Sequence, residues 1–420
     1  MQNVRNFRSN SSAALVLACA ALGSFGCSSH EADETASTRS ITQLTPELAQ
    51  VVAANQQLTW ALYQRIVAAS PNDNAFFSPF SIGAALSMAE LGARGDTLSE
   101  MQAVLGIPAD DAAYHRNFGA LLADLDGEHA GRAYQLAAAN GAFVDAGVEL
   151  EPDFLGALAS NYDAHPVVLP FGSDPESARS DVNQWVADET HATIPELFPS
   201  GTIDATTAFV LASAIYFDAP WANGFDPSRT APGTFHAPAG DRSVPMMTNA
   251  SSFPLLLQKD LTLAELDYRD HELSLIVVQP TALDGLPALE ATLTTDSVNA
   301  LIDELPAPVD SGVTMPRFEL RAEISLESTL AGLGMPSAFD PAHADFTGIS
   351  SAGDLSLAHV PHAAYLQVDE TGTVASAATG AAFERHGAEA LLTLDHPFLF
   401  FIRDKLTGAI LFAGRVLDPS

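Results

Sequence analysis

Basic residues are scarce in this chain. Its 420 residues carry 18 Lys+Arg against 52 Asp+Glu, a formal net charge of −34 with neutral histidines, and Lys259 and Lys405 are the only lysines. A nucleic-acid binder gains affinity from counterions released at a basic surface, so that class is excluded. The lack of any polybasic stretch likewise excludes electrostatic capture by acidic lipid or a sulfated polysaccharide. Cysteine is nearly absent: Cys19 and Cys27 both lie in the first 27 residues. The rest of the chain can build neither a disulfide nor a thiolate metal site, so its stability must come from packing. The apolar stretch Ala13 to Leu22 is too short to span a bilayer. Catalytic signatures are missing as well, with no zinc-protease helix, phosphate loop, EF-hand loop, dinucleotide fingerprint or nucleophile elbow. His271-Glu272 lacks a second histidine four positions on, and His359 and His362, read as lying on one strand, would face opposite ways. Neither an active site nor a metal centre nor a cofactor is therefore expected. What is present is globular: 47% hydrophobic and 17% charged residues suffice for a large core, and length alone suggests two or three domains.

The first residues look like an address. Arg5 and Arg8 precede the apolar stretch, and Gly26-Cys27-Ser28-Ser29 sets a small residue before a cysteine that opens a polar segment. This resembles a bacterial lipoprotein signal over residues 1–26, with Cys27 lipidated as the mature N-terminus. Ser24 and Phe25 depart from the usual lipobox, and Cys19 after Val16-Leu17-Ala18 competes with Cys27. An ordinary secretory signal is the alternative. Either route implies export, to the extracellular space or to an outer-membrane or periplasmic lipoprotein, with membrane contact only through the lipid. Residues 27–43 are polar and are expected to form a flexible tether.

No low-complexity break or repeat interrupts residues 44–419, which are read as one mixed α/β unit. Pro46 through Ala69 has helical apolar periodicity. Ser78-Pro79 caps a helix running to about Leu91, and Thr97-Leu98-Ser99-Glu100 predicts a capping box for a short helix ended by Gly106. Phe209 to Phe217 and Leu273 to Val278 are near-continuous apolar runs, expected for strands covered on both faces. Phe398 to Arg403 and Ala409 to Val416 flank a turn glycine, Gly408, as a hairpin.

The most informative stretch is residues 370–396. Tyr365 to Asp369 alternates like a strand, and Gly372 to Ala382 then contains only Gly, Thr, Val, Ser and Ala, with no proline and no charge before Glu384. By composition alone a solvated linker is the plainest reading, yet a linker has no need of that restriction. A strand that must slide into a covered sheet does, because proline would delete a ladder bond and a charge would be buried.

This segment resembles the hinge of the serpin reactive-centre loop, and motifs along the chain agree with it. They include Asn74 to Ile82 with Leu91 to Thr97, Asn183-Gln184-Trp185-Val186, Ala214 to Phe217 with Trp221 and Phe225, Val244 to Met247, His396-Pro397-Phe398, and Leu411 to Val416. The resemblance implies an α+β serpin fold, one unit of three β-sheets and eight or nine α-helices with an exposed reactive-centre loop at about 370–396. It implies suicide inhibition of a serine, or alternatively a cysteine, protease: the loop is cut, inserts as a new strand and traps the acyl-enzyme. It also implies an inhibitor rather than an enzyme, without cofactor, as a monomer. A non-inhibitory serpin-fold binding protein is the alternative.

Position by position, the resemblance makes Glu370, Gly372, Thr373, Ala375, Ser376, Ala377 and Ala378 the hinge, with Val374 where inhibitory members usually carry an acid. Ser78, Ser81, Ser213 and His362 match the shutter that controls sheet opening, with Ser213 standing where Asn is usual; its shorter hydroxyl is expected not to reach the histidine. Trp221 and Arg317 match the breach where the loop enters, Arg317 as a partner for Glu370. The family spacing from the hinge glutamate places the scissile bond at His386-Gly387. The Arg385-His386 bond suits a trypsin-like pocket with its buried carboxylate, the favoured target, and Phe383-Glu384 would suit a chymotrypsin-like one. With two lysines, the chain lacks a counterpart to the basic helix through which heparin activates some serpins, so no heparin dependence is expected.

Overall fold

A computed structural model describes residues 39–126, 132–353, 355–373 and 391–420. The signal, Cys27, most of the tether, Val374 to Ala378 and the candidate bonds at Arg385, His386 and Gly387 lie outside the described residues.

The chain opens with α1 (Pro46–Ala69), β1 (Ala75–Phe77), α2 (Pro79–Glu90), α3 (Gly95–Leu105) and α4 (Ala112–Leu125). Next come β2 (Gln135–Asp145), α5 (Pro152–Tyr162), β3 (Val167–Leu169), α6 (Pro175–Glu189) and β4 (Phe209–Pro220). A strand-rich stretch follows, β5 (Ala231–Ala237), β6 (Gly240–Phe253), β7 (Leu255–Leu257), β8 (Leu261–Asp267) and β9 (Leu273–Pro280). After α7 (Leu286–Glu290) and α8 (Thr295–Asp303) lie β10 (Val309–Pro316), β11 (Phe318–Ser325) and α9 (Glu327–Leu333). The chain closes with β12 (Pro361–Val368), β13 (Gly372–Thr373), β14 (Leu391–Thr393), β15 (Phe398–Asp404) and β16 (Ile410–Val416).

Helix starts follow their local chemistry. Thr45 Oγ1 accepts from Leu48 N at 3.2 Å with Pro46 in the first turn, and Ser78 Oγ accepts from Ser81 N at 3.1 Å. The expected capping box at Thr97 does not form. Helix α3 begins at Gly95, Thr97 Oγ1 accepts from Asp345 N at 3.0 Å, and Glu100 accepts from the Ser337 backbone and hydroxyl, both at 2.9 Å. Both polar groups therefore hold a distant loop, a tertiary demand that overrides the local one. Gly106 ends the helix at φ 69°, in the left-handed region.

The strands make three sheets, a central one of order β11-β12-β13-β4-β2-β3, a second of order β1-β16-β15-β9-β8-β7, and a four-stranded third of order β14-β10-β6-β5. All of β9 and the first nine residues of β4 are buried, as continuous apolar runs require. Helix α6 covers one face of the central sheet, packing Val182 and Val186 into a cluster with Phe143, Val210, Ala212, Ala214 and Ala363. Helix α2, buried along its whole length, packs against β4 and β16 behind the opposite face. His359 lies before β12 rather than on it, so it shares no strand with His362.

The end of the expected tether is docked. Arg39 bonds Asp124 at 2.7 Å and Asp404 at 2.5 Å, while Ser40 Oγ and Ile41 N donate to the other Asp124 oxygen at 2.8 and 3.0 Å. Both aspartate side chains are fully buried, and a buried carboxylate demands a cation; in so acidic a chain Arg39 serves two. Arg39→Gln should therefore lower unfolding stability by about 3–5 kcal/mol in urea titrations, the cost of leaving buried Asp404 uncompensated and Asp124 with only the more distant Arg132 at 3.7 Å. A loss under about 1 kcal/mol would mean that residues 39–41 contribute no anchoring.

Candidate functional site

The site lies along the seam between β4 and β12. The two strands pair directly and in parallel at one end, His362 opposite Ser213, Ala363 opposite Ala214 and Ala364 opposite Ile215. At the other end the two residues of β13 separate them, with Thr373 opposite both Val368 and Ala219 and Gly372 opposite Pro220. The central sheet is thus zipped below and wedged open above by the first residues of the expected hinge.

Local chemistry makes the wedge. Asp369 Oδ1 accepts from Thr371 N at 2.8 Å and Thr371 Oγ1 at 2.6 Å, an Asx turn that folds the chain back so that Asp369 N reaches Gly372 O at 2.9 Å. Position 372 requires glycine: a Cβ would sit 2.2 Å from Ala219 O. Thr373 is fully buried, its hydroxyl 2.7 Å from the Tyr268 hydroxyl.

The turn is held from outside. Trp221 N donates to Thr371 O at 3.0 Å, its ring Nε1 to Asp369 O at 2.9 Å, and Phe225 N to Glu370 O at 2.8 Å. The Trp221 ring stacks on Tyr268 with centroids 4.7 Å apart and 6° between planes. Core packing and support of the entry turn are therefore one role for Trp221. Glu370 is 4% exposed; Arg317 Nη2 donates to both its oxygens at 2.6 Å, and Thr230 Oγ1 donates at 2.6 Å. Burial alone would raise the Glu370 carboxyl, but Thr230 and Arg317 outweigh it and hold it below the ordinary glutamate value. This pair is more than a contact between exposed side chains, because its acidic half is inside.

At the zipped end the backbone N–H of Ser78 donates to His362 Nε2 at 3.0 Å, and Ser78 Oγ donates to Leu411 O at 2.7 Å. Ser81 Oγ lies 2.8 Å from Ser213 Oγ and donates to Asn140 Oδ1 at 3.3 Å. Ser213 thus bonds Ser81 and not His362. The amide at this point comes from the next strand, where Asn140 is the cross-strand partner of Ser213. Because Nε2 accepts, the His362 proton sits on Nδ1, which has no hydrogen-bond partner among the described residues. Full burial pushes the His362 pKa down to about 3.

The structure so brings Ser78, Ser81, Ser213 and His362 together at one end of the seam, and Trp221, Arg317, Glu370, Gly372 and Thr373 at the other. Thr230, Tyr268, Asp369 and Asn140 were not singled out in the sequence. One more residue went unread: Asp218, on β4 beside Ala219, has its carboxyl raised to about 6 by burial and by the charge of Asp369.

The family comparisons agree with this geometry. Residues 53–419 match the family described as Serpin (serine protease inhibitor), and the chain belongs to that family. It is 34% identical over 375 residues to the leukocyte elastase inhibitor of Xenopus tropicalis, covering 87% of this chain and 99% of that protein. An uncharacterized serpin-like protein of Thermococcus kodakarensis is 35% identical over 374 residues, covering 88% of this chain and 86% of the relative. Among solved structures, uncleaved ovalbumin superposes with a TM-score of 0.80 at 24% identity, over 88% of this chain and all of that one. The serpin fold expected from the sequence is the fold found, with three sheets and nine α-helices among the described residues.

Both titrating groups give signed expectations. His362 falls from 6.5 unfolded to about 3 folded, so the stability it reflects is complete above pH 6.5 and is lost as pH falls toward 3. Asp218 is the reverse: the folded state holds its proton up to about pH 6 and the unfolded one only to 3.8, so stability falls as pH rises through that window. Asp218→Asn should raise the melting temperature at pH 7, by an amount equivalent to about 1 kcal/mol after solvent screening, and should have little effect at pH 4. Thermal scans at the two pH values check this; a loss of stability at pH 7 would contradict it.

Proposed function

We propose that the protein inhibits serine proteases by suicide cleavage of the segment between β13 and β14, with cysteine proteases as a second target class. The observation that carries the reading is the wedge itself: Gly372 and Thr373 already occupy the first rungs of a strand between β4 and β12. A protease serine attacks the scissile carbonyl, the new amino terminus leaves, and the chain before the cut, still acylating the enzyme, continues down the seam. The composition after Thr373, small and uncharged through Ala382, suits that path. About a dozen further residues gaining roughly 0.5–1.5 kcal/mol per net hydrogen bond give on the order of 10 kcal/mol. That is comparable to the whole stability of an ordinary domain and is sufficient to distort a bound enzyme.

The bond at Arg385-His386 favours a trypsin-like target, with His386-Gly387 the family-spaced alternative. The protein acts as a monomer, exported and held on a tether, by the lipid on Cys27 if the lipoprotein reading of the signal holds. Incubation with trypsin-like and elastase-like proteases is expected to give a complex that survives denaturation. Mass spectrometry of the released C-terminal fragment should begin at His386 or Gly387. Cleavage that leaves fully active protease and no complex with any enzyme would overturn the inhibitory reading.

A further inference from the structure

A second constellation lies away from the seam, at the far end of α2. Glu90, the last residue of α2, is fully buried, as is His115 in the first turn of α4. Glu90 Oε2 lies 2.9 Å from His115 Nε2, and Gln102 Nε2 from α3 donates to Glu90 Oε1 at 2.8 Å. Asp111 precedes α4 in the N-cap position but makes no side-chain cap bond; its carboxylate turns toward the same point. One ligand atom each from Glu90, Asp111 and His115 fall within 4.8 Å of one another. Among the described residues no lysine or arginine forms an ion pair with either acid, in contrast to Asp124 and Asp404 with Arg39.

We propose that Glu90, Asp111 and His115 form a binding site for a divalent transition-metal ion, with zinc the best chemical match, which clamps the end of α2 to the start of α4. One imidazole and two carboxylates are ligands that zinc accepts, at about 2.0–2.2 Å, and the three leave a fourth position for water. Two carboxylates and a dication make a neutral site. Ligand atoms around such an ion sit about 3.4 Å apart, so only a small inward turn of Asp111 closes the set.

Behind the histidine is a chain of hydroxyls that can follow its tautomer. His115 Nδ1 lies 2.7 Å from the Tyr162 hydroxyl. Fully buried Ser87, one turn before Glu90, lies within reach of the phenols of Tyr162 and Tyr114, though its hydroxyl makes no close hydrogen bond among the described residues. With a neutral, metal-free His115, Nε2–H donates to Glu90 and Tyr162 O–H donates to Nδ1, so Tyr162 has no proton to give Ser87 Oγ. With metal on the Nε2 lone pair, the imidazole proton moves to Nδ1 and donates to the Tyr162 oxygen. The Tyr162 O–H is then released to Ser87 Oγ. No proton is gained or lost by the group, and Ser87 Oγ gains a close bond from Tyr162. Ser87 is thus a positioning residue that sets the metal-binding tautomer.

No metal was expected from the sequence, because Glu90 is separated from Asp111 and His115 along the chain and only folding joins them. The test is isothermal titration of the full chain with Zn²⁺ in excess Mg²⁺, which occupies the general acidic surface. One zinc per chain should bind, raising the melting temperature. Asp111→Asn, at a half-exposed position that should leave the fold intact, should weaken that binding at least tenfold. Ser87→Ala should weaken it several-fold while leaving the metal-free melting temperature unchanged or higher. Exposed pairs such as His343 with Asp340 are competing zinc ligands, and His343→Gln should change nothing. Absence of a stoichiometric site, or binding untouched by Asp111→Asn, would overturn the proposal.

Discussion

The seam between β4 and β12 is the constraint on which the rest of the structure depends. Two neighbouring parallel strands would ordinarily pair along their whole length, since a buried backbone group without a partner costs free energy. Here they pair at only three positions before β13 takes over the ladder. Every other feature of the site supports that partial opening. The Asx turn at Asp369 aims the chain into the gap, Gly372 lets it pass the β4 backbone, and Thr373 finds Tyr268 at the bottom. Arg317 and Thr230 hold the buried carboxylate of the turn, Glu370, where it would otherwise be buried alone.

The zipped end is built for weakness of a particular kind. Between apolar layers it places hydroxyls, an amide and an imidazole, and it leaves the His362 Nδ1 proton unsatisfied among the described residues. A fully satisfied network would lock the strands, and an apolar one would pack them without direction. Short hydroxyl contacts between α2, β2 and β4 fix the register, while no side chain bonds across from β4 to His362. Separation of β12 from β4 at this level therefore breaks backbone pairs but no side-chain bridge. The gap in the ladder above and the missing bridge below act on the same pair of strands.

Much of this was legible in the sequence because it is written in local composition. The small, uncharged run after Glu370 marks a segment fit for a buried sheet, and the apolar runs of β4 and β9 mark strands covered on both faces. What was not legible depends on register and on distant partners. Asn140 sits in an alternating strand, and nothing local says that it lies opposite Ser213. Thr97 and Glu100 have capping-box spacing but serve Asp345 and Ser337, more than two hundred residues away. Arg39 looked like part of a solvated tether because the two buried aspartates that need it come from the ends of α4 and β15. The scarcity of cations, the first property of the sequence, explains that economy: one arginine serves two buried acids.

On the proposed function, the wedge is the beginning of a strand that can be completed. The direct measurement is the thermal stability of the chain after its loop between β13 and β14 is cut by a protease that it does not inhibit. Completion of the strand predicts a large rise, with the cut protein melting well above the intact one despite its broken backbone. An unchanged or lower melting temperature would contradict the account: the seam would then be a fixed feature, and the protein a binding member of the fold rather than an inhibitor.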